Sequence, residues 1–223
     1  MKKLDCKQLI KKLVFFFLGV WIIQIGVAIF IGTNIGSDPF TVFTQGLAKV
    51  VGITPGIGNM IITFTFLVII LIFARHYINI GTVLAMISAG PFIDLMIRVF
   101  RDMHFENLNI VFKMILLVLS CVIIAIGFSL LKATELGVAP NDVIPFLLSD
   151  KSKLQYRVVR IAMDITFFVV GYLLGGVIGI GTVIAALLQG PLIQFFMPRL
   201  EKFVHRVIYT DDQLEAMANE IAE

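Results

Sequence analysis

Six predominantly apolar stretches, at 13–32, 60–74, 81–100, 110–131, 158–177 and 181–197, decide which solvent this chain can fold in. A helix of about 20 apolar residues spans the hydrocarbon core of a bilayer. The second stretch is the shortest, but it extends backwards through Ile57 and Gly58. The chain as a whole is 59% hydrophobic and 15% charged, with a mean hydropathy of +0.99. Soluble domains are about half apolar and roughly a quarter charged. A core of 223 residues cannot hide this much apolar surface, so the solvent is lipid.

The predicted fold class is an all-α integral membrane protein with six transmembrane helices. The leader "MKKLDCKQLIKK" resembles the start of a signal peptide, but the run after it is too long and lacks an Ala-x-Ala site, so it is expected to remain as a first helix. The net charge of +3 would suggest nucleic acid in a soluble protein; here the basic residues flank apolar runs and report topology instead. With the N-terminus inside, fourteen of the eighteen Lys and Arg fall on the inner side and four on the outer. Six crossings with both termini cytoplasmic satisfy that bias. Cys6 and Cys121 have neither metal-ligand nor disulfide spacing, and no metal or cofactor is expected.

The chain also repeats itself. "GTVLAMISAGPFIDLM" from Gly81 is echoed by "GTVIAALLQGPLIQFF" from Gly181, with Gly90–Pro91 matching Gly190–Pro191. Upstream, at an offset of 101, Gly26, Gly36 and Pro39 match Gly127, Gly137 and Pro140. Each half then holds three crossings, and three is odd, so the second half is inverted relative to the first. The expected units are a leader at 1–12, a first repeat at 13–100, an outer loop at 101–108, a second repeat at 109–200 and a C-terminal cytoplasmic helix at 201–223. In that last helix Thr210 or Asp211 is the expected cap, with Leu214, Met217 and Ile221 on one face.

Proline inside a helix removes one hydrogen bond and clashes with the carbonyl four residues back. Helix breaks are therefore expected at Gly90–Pro91 and Gly190–Pro191, freeing the carbonyls of Ile87 and Leu187. The segments "NIGSDPFTVFTQGLAKVVG" and "ELGVAPNDVIPFLLSD" each place Pro three residues after Gly, ahead of a stretch too short to span. Both are expected to be half-helices or re-entrant turns, the first capped by Asp38, with an N-terminus suited to an anionic group.

These residues carry a family likeness. "NIGSDPFTVFTQGLAKVVGITPG", the two Gly-Thr-Val helix starts and "RIAMDITFFVVGYLLGGVIGIGT" resemble the YczE/YitT-type bacterial membrane proteins, the YczE branch more closely. The likeness covers most of the chain between about Leu18 and Pro191. It implies a six-helix protein of the bacterial cytoplasmic membrane, with transport suspected and some relatives linked to production of secondary metabolites. Where the first half has Phe40 after the proline, the second has Asn141.

Charges at membrane depth are costly and mark functional candidates. Arg160 and Asp164 share a face of the fifth crossing, and Asp94 and Arg98 repeat the spacing on the third, where mutual neutralisation is expected. No His falls within a crossing, and the chain carries no metalloprotease, Walker or nucleophile–base motif, so it is not read as an enzyme. The expected substrate site gathers Asn34, Gly36, Asp38, Asn141, Asp142, Arg160, Asp164 and Gln189 between the halves. A small secondary carrier for an unknown molecule or ion is the first reading. An accessory or regulatory membrane protein and a substrate-capturing subunit of a larger transporter are the alternatives. Expected partners are the lipid bilayer and a small molecule or ion, with a homo-oligomer left as an option, but not nucleic acid. Deleting residues 210–223 separates the first two readings: a carrier keeps its ligand response in a purified-protein stability assay, and an accessory docked through its tail loses function.

Overall fold

A computed structural model describes residues 6–209, and among these no strand forms. The expected C-terminal helix therefore falls largely outside the described residues. Eight helices follow one another: α1 (Cys6–Thr33), α2 (Pro39–Val51), α3 (Pro55–Ala74), α4 (Ile80–Phe100), α5 (Ile110–Ala133), α6 (Pro140–Ser152), α7 (Tyr156–Leu173) and α8 (Ile180–Ile208). An apolar solvent offers the backbone no hydrogen bonds, so every amide and carbonyl must be satisfied within the chain, and helices do this segment by segment. Proline supplies the first residue of α2, α3 and α6, where its missing N–H costs nothing.

Five helices are long and apolar enough to cross a membrane: α1, α3, α4, α5 and α8. The expected fifth crossing differs. The helix there, α7, stops at Leu173 rather than reaching 177, and carries Arg157, Arg160 and Asp164 within its 18 residues. Its charges separate it from the other five. At 13 residues each, α2 and α6 are about 20 Å long, short of the roughly 30 Å a crossing needs.

Two sequence expectations are corrected here. No break occurs at Gly90–Pro91 or Gly190–Pro191: α4 and α8 continue through both prolines. Each proline removes a single intrahelical bond, and the turns on either side retain theirs. The boundary expected at 200/201 likewise falls inside a helix, since α8 runs on to Ile208.

Helices α1 and α5 form the centre, closely apposed, with α4 against α1 and α8 against α5. One buried cluster joins Phe30 of α1, Leu117, Cys121 and Ile124 of α5 and Ala185 of α8; another joins Phe16 and Val20, Ala85 and Leu131. The short helices cross over, α2 packing on α7 and α6 on α3. Phe167 of α7 sits among Phe40, Phe43 and Phe66, with ring centroids 5.5 to 5.9 Å away.

The two Gly-Thr-Val starts have a structural reason. The first amides of a helix lack intrahelical partners. Gly81 N–H donates to Leu136 O at 2.9 Å, and Gly181 N–H donates to Ile35 O at 2.9 Å. Each helix start is thus held by the loop of the other half. A Cβ at Gly81 would lie 2.6 Å from Leu136 O, and one at Gly181 would lie 2.8 Å from Gly36 O. Only glycine admits the loop so closely. Substituting Gly81 or Gly181 with Val is expected to cost about 1–3 kcal/mol through overpacking against backbone. Gly190→Ala, where nothing lies within 4 Å, is expected to leave stability unchanged or to raise it by up to about 1 kcal/mol. Thermal unfolding of the purified protein in detergent distinguishes the three variants.

Candidate functional site

The end of α1 and the end of α5 are followed by loops of the same shape. Asn34 (φ 54°) and Gly36 (φ 109°) lead into α2; Glu135 (φ 58°) and Gly137 (φ 120°) lead into α6. Non-glycine residues enter this left-handed region rarely, Asn most readily. Asn34 is exposed, and Gly36 is buried against Thr182 at the start of α8. Both residues shape the loop; among the described residues neither forms a hydrogen bond or ion pair with the charged cluster expected around them.

Asp38 caps α2. Its Oδ1 accepts Thr41 N–H at 3.1 Å and its Oδ2 accepts the Thr41 hydroxyl at 2.5 Å. The cap is the one expected from the sequence, and the anionic group at this helix N-terminus is the protein's own carboxylate. The matching α6 start has Ala139 in the cap position, with no side-chain cap.

Arg160 is where the expected residues meet. Its Nη1 donates to Asp142 Oδ1 of α6 at 3.1 Å, and its Nε donates to Asp164 Oδ2, one turn along α7, at 3.3 Å. Asp38 lies within electrostatic reach of both Arg160 and Asp164. One guanidinium thus pairs with two carboxylates, on α6 and α7, with a third nearby at the cap of α2, which leaves the cluster with an excess of negative charge when all are ionised. The Arg160 side chain is 37% exposed and that of Asp164 35%. Asn141 and Gln189 are half-buried and make no side-chain hydrogen bond among the described residues.

Asp94 does not pair with Arg98. Its Oδ2 accepts the Thr54 hydroxyl at 2.6 Å and its Oδ1 accepts Gly56 N–H at 2.9 Å. The carboxylate turns towards α3, where unpaired helix-start amides attract it more strongly than an exposed guanidinium on its own helix.

A second polar junction escaped the sequence reading. Glu135 Oε2 accepts from Lys12 Nζ at 3.0 Å and from the Tyr209 hydroxyl at 2.8 Å, while its Oε1 lies 3.6 Å from His205 Nε2. This ties the start of α1 and the end of α8 to the α5–α6 loop. The one signal in the sequence is positional, since Glu135 stands where the first half has Asn34. Two cavities lie near the helix ends, away from Arg160. One, of about 260 Å³, is bordered by Gly32, Arg101, His104 and Phe105; the other, of about 360 Å³, by Tyr77, Lys132, Glu135 and Phe146. Among the described residues no group of His, Cys, Asp and Glu is arranged to hold a metal.

A profile described as a family of unknown function, DUF6198, matches residues 10–198. The chain belongs to this family. The DUF6198 chain is 30% identical to the "Uncharacterized membrane protein YczE" of Bacillus subtilis, over 86% of its own length and 88% of that protein's. It is 29% identical to the "Uncharacterized protein YyaS" of the same organism, over 86% and 94%. An "Uncharacterized protein" of Haemophilus influenzae is 26% identical over 82% of each. No solved structure matches. With a named membrane protein among its relatives and five apolar helices of spanning length, it is a multi-pass membrane protein.

The Glu135 junction makes stability depend on pH. Burial pushes the Glu135 carboxyl up, but hydrogen bonds from Tyr209 and Lys12 outweigh it and hold the group below the usual carboxylate range. A carboxylate with a depressed folded pKa stabilises the fold fully above its unfolded pKa, about 4.3, and this contribution is lost as pH falls through the lower folded value. The melting temperature of the native protein is expected to drop more steeply than that of Glu135→Gln below about pH 4.3, measured as melting curves across an acid pH series.

Proposed function

We propose that this protein is a small secondary carrier whose two halves are inverted copies and whose site lies between them, centred on Arg160. The observation that carries the reading is the bridge from Arg160 to both Asp142 and Asp164. A lone charge inside a membrane protein demands partners and marks a pathway more often than a scaffold. Short helices meeting from the two halves are a recurring way to build such a site.

The inverted arrangement is supported by contacts that recur when residue numbers are shifted by 101. A Cβ at Gly19 would meet Gly127 O, and one at Gly26 would meet Ser120 O. Phe66 and Phe167, also 101 apart, touch each other at 5.9 Å, as residues beside a two-fold axis do. On this reading α7 completes a sixth crossing, its charges shielded by α2 and α6. Both termini then lie on the cytoplasmic side, in keeping with the distribution of Lys and Arg.

The excess of carboxylates over guanidinium favours a cationic ligand or a proton. Asp164 and Asp38 are the groups proposed to receive it, with Arg160 holding Asp142 and Asp164 in place. The test is a thermal-stability screen of purified protein against sodium, potassium, guanidinium and alkylammonium salts, since a ligand that binds only the folded state raises its stability. A stabilising cation is expected, and Asp164→Ala is expected to abolish the shift while the protein remains in the membrane fraction. A shift that survives Asp164→Ala overturns the site assignment. No shift with any cation, at neutral pH or on acidification, overturns the ligand class.

A further inference from the structure

Helices α4 and α8 begin alike but continue in different company. Along α4, Gly90 packs directly onto α3: a Cβ there would lie 2.6 Å from Gly56 O and crowd Met60. One turn on, Asp94 accepts the Gly56 amide at 2.9 Å and the Thr54 hydroxyl at 2.6 Å. Thr54 is the N-cap of α3, and Gly56 N–H is one of the amides that a helix start leaves without a partner. Asp94 therefore caps α3 from across the seam between the two helices. Hydrogen bonds to a carboxylate are about twice as strong as neutral ones.

The second half lacks every part of this. The positions matching Thr54, Gly56 and Asp94 are Gln155, Arg157 and Gln194. Gln155 provides no side-chain cap for α7. Arg157 puts a long side chain where Gly56 admits a backbone. Gln194 has no carboxylate and is exposed. A Cβ at Gly190 would meet nothing within 4 Å. Ile93 is 2% exposed, whereas Ile193 is half-buried. Helix α8 leans on α5 and leaves α7 without an extensive contact.

We infer that Asp94 is a latch that seals the α3–α4 seam, and that the unsealed α7–α8 seam is the route by which the Arg160–Asp164 cluster is reached. Opening the sealed side requires release of the Asp94 carboxylate from Thr54 and Gly56. Only the statement that the route leads to a binding site rests on the carrier reading.

Thiol reactivity of the full chain in permeabilised membrane vesicles tests the inference. Cys6→Ser and Cys121→Ala remove the native thiols, and single reporters are placed at Asn59→Cys, below Gly56 on α3, and at Gly190→Cys. With Asp94 present, a small hydrophilic maleimide is expected to label Gly190→Cys and to spare Asn59→Cys. Asp94→Asn is expected to speed labelling at Asn59→Cys about tenfold or more, from the loss of charge-assisted hydrogen bonds, and to leave Gly190→Cys unchanged. Thr54→Val, which removes one of the two bonds, is expected to give a smaller acceleration and decides the matter if Asp94→Asn fails to fold. Labelling of Asn59→Cys that ignores both substitutions overturns the latch. A Gly190→Cys that never reacts overturns the route. The labelling needs no ligand, so the expected pattern without any stabilising cation would count against the carrier and for the latch. A stabilising cation with labelling indifferent to Asp94 would do the reverse.

Discussion

The fold depends on an exchange of hydrogen bonds between its halves. Gly81 N–H is satisfied by Leu136 O, and Gly181 N–H by Ile35 O. In an apolar surrounding these amides have no water to fall back on, so each half supplies what the other's helix start lacks. The α1–α5 seam, the placement of α4 and α8 and the left-handed loops at Asn34 and Glu135 all serve this exchange. Without it, two helix starts would be buried with polar groups unpaired.

Much of this was legible in the sequence because lipid makes simple demands. Long apolar runs gave the helices, and the two Gly-Thr-Val starts and Gly-x-x-Pro segments marked equivalent places in each half. Asp38 and Pro39 announced the start of α2 at the right residue. The ion pair of Arg160 and Asp164 followed from their i, i+4 spacing.

What failed to show was tertiary choice. Asp94 had a partner in sequence, Arg98, and another in space, the α3 start; helical spacing reveals the first and is blind to the second. The Glu135 junction joins three distant segments, and no local pattern predicts it. The prolines in α4 and α8 misled for another reason: the rule that proline breaks a helix is weighed against water, and in lipid continuing the helix is less costly than exposing several backbone groups. The end of α7 fell short of its apolar run because Gly175 turns left-handed at φ 85° and Gly176 N–H folds back to Gly171 O at 2.8 Å, which closes the helix.

The exchange between halves also dictates an order of events during synthesis. Ile35 O is made long before its donor, Gly181. Until α8 is inserted, the first loop carries an unanswered carbonyl, and α5 lacks the cover of Ala185 over Leu117 and Cys121. The nascent chain thus keeps this gap in its core until α8 arrives. A chain cut short before Gly181 would leave the Ile35 carbonyl unanswered and Leu117 and Cys121 uncovered.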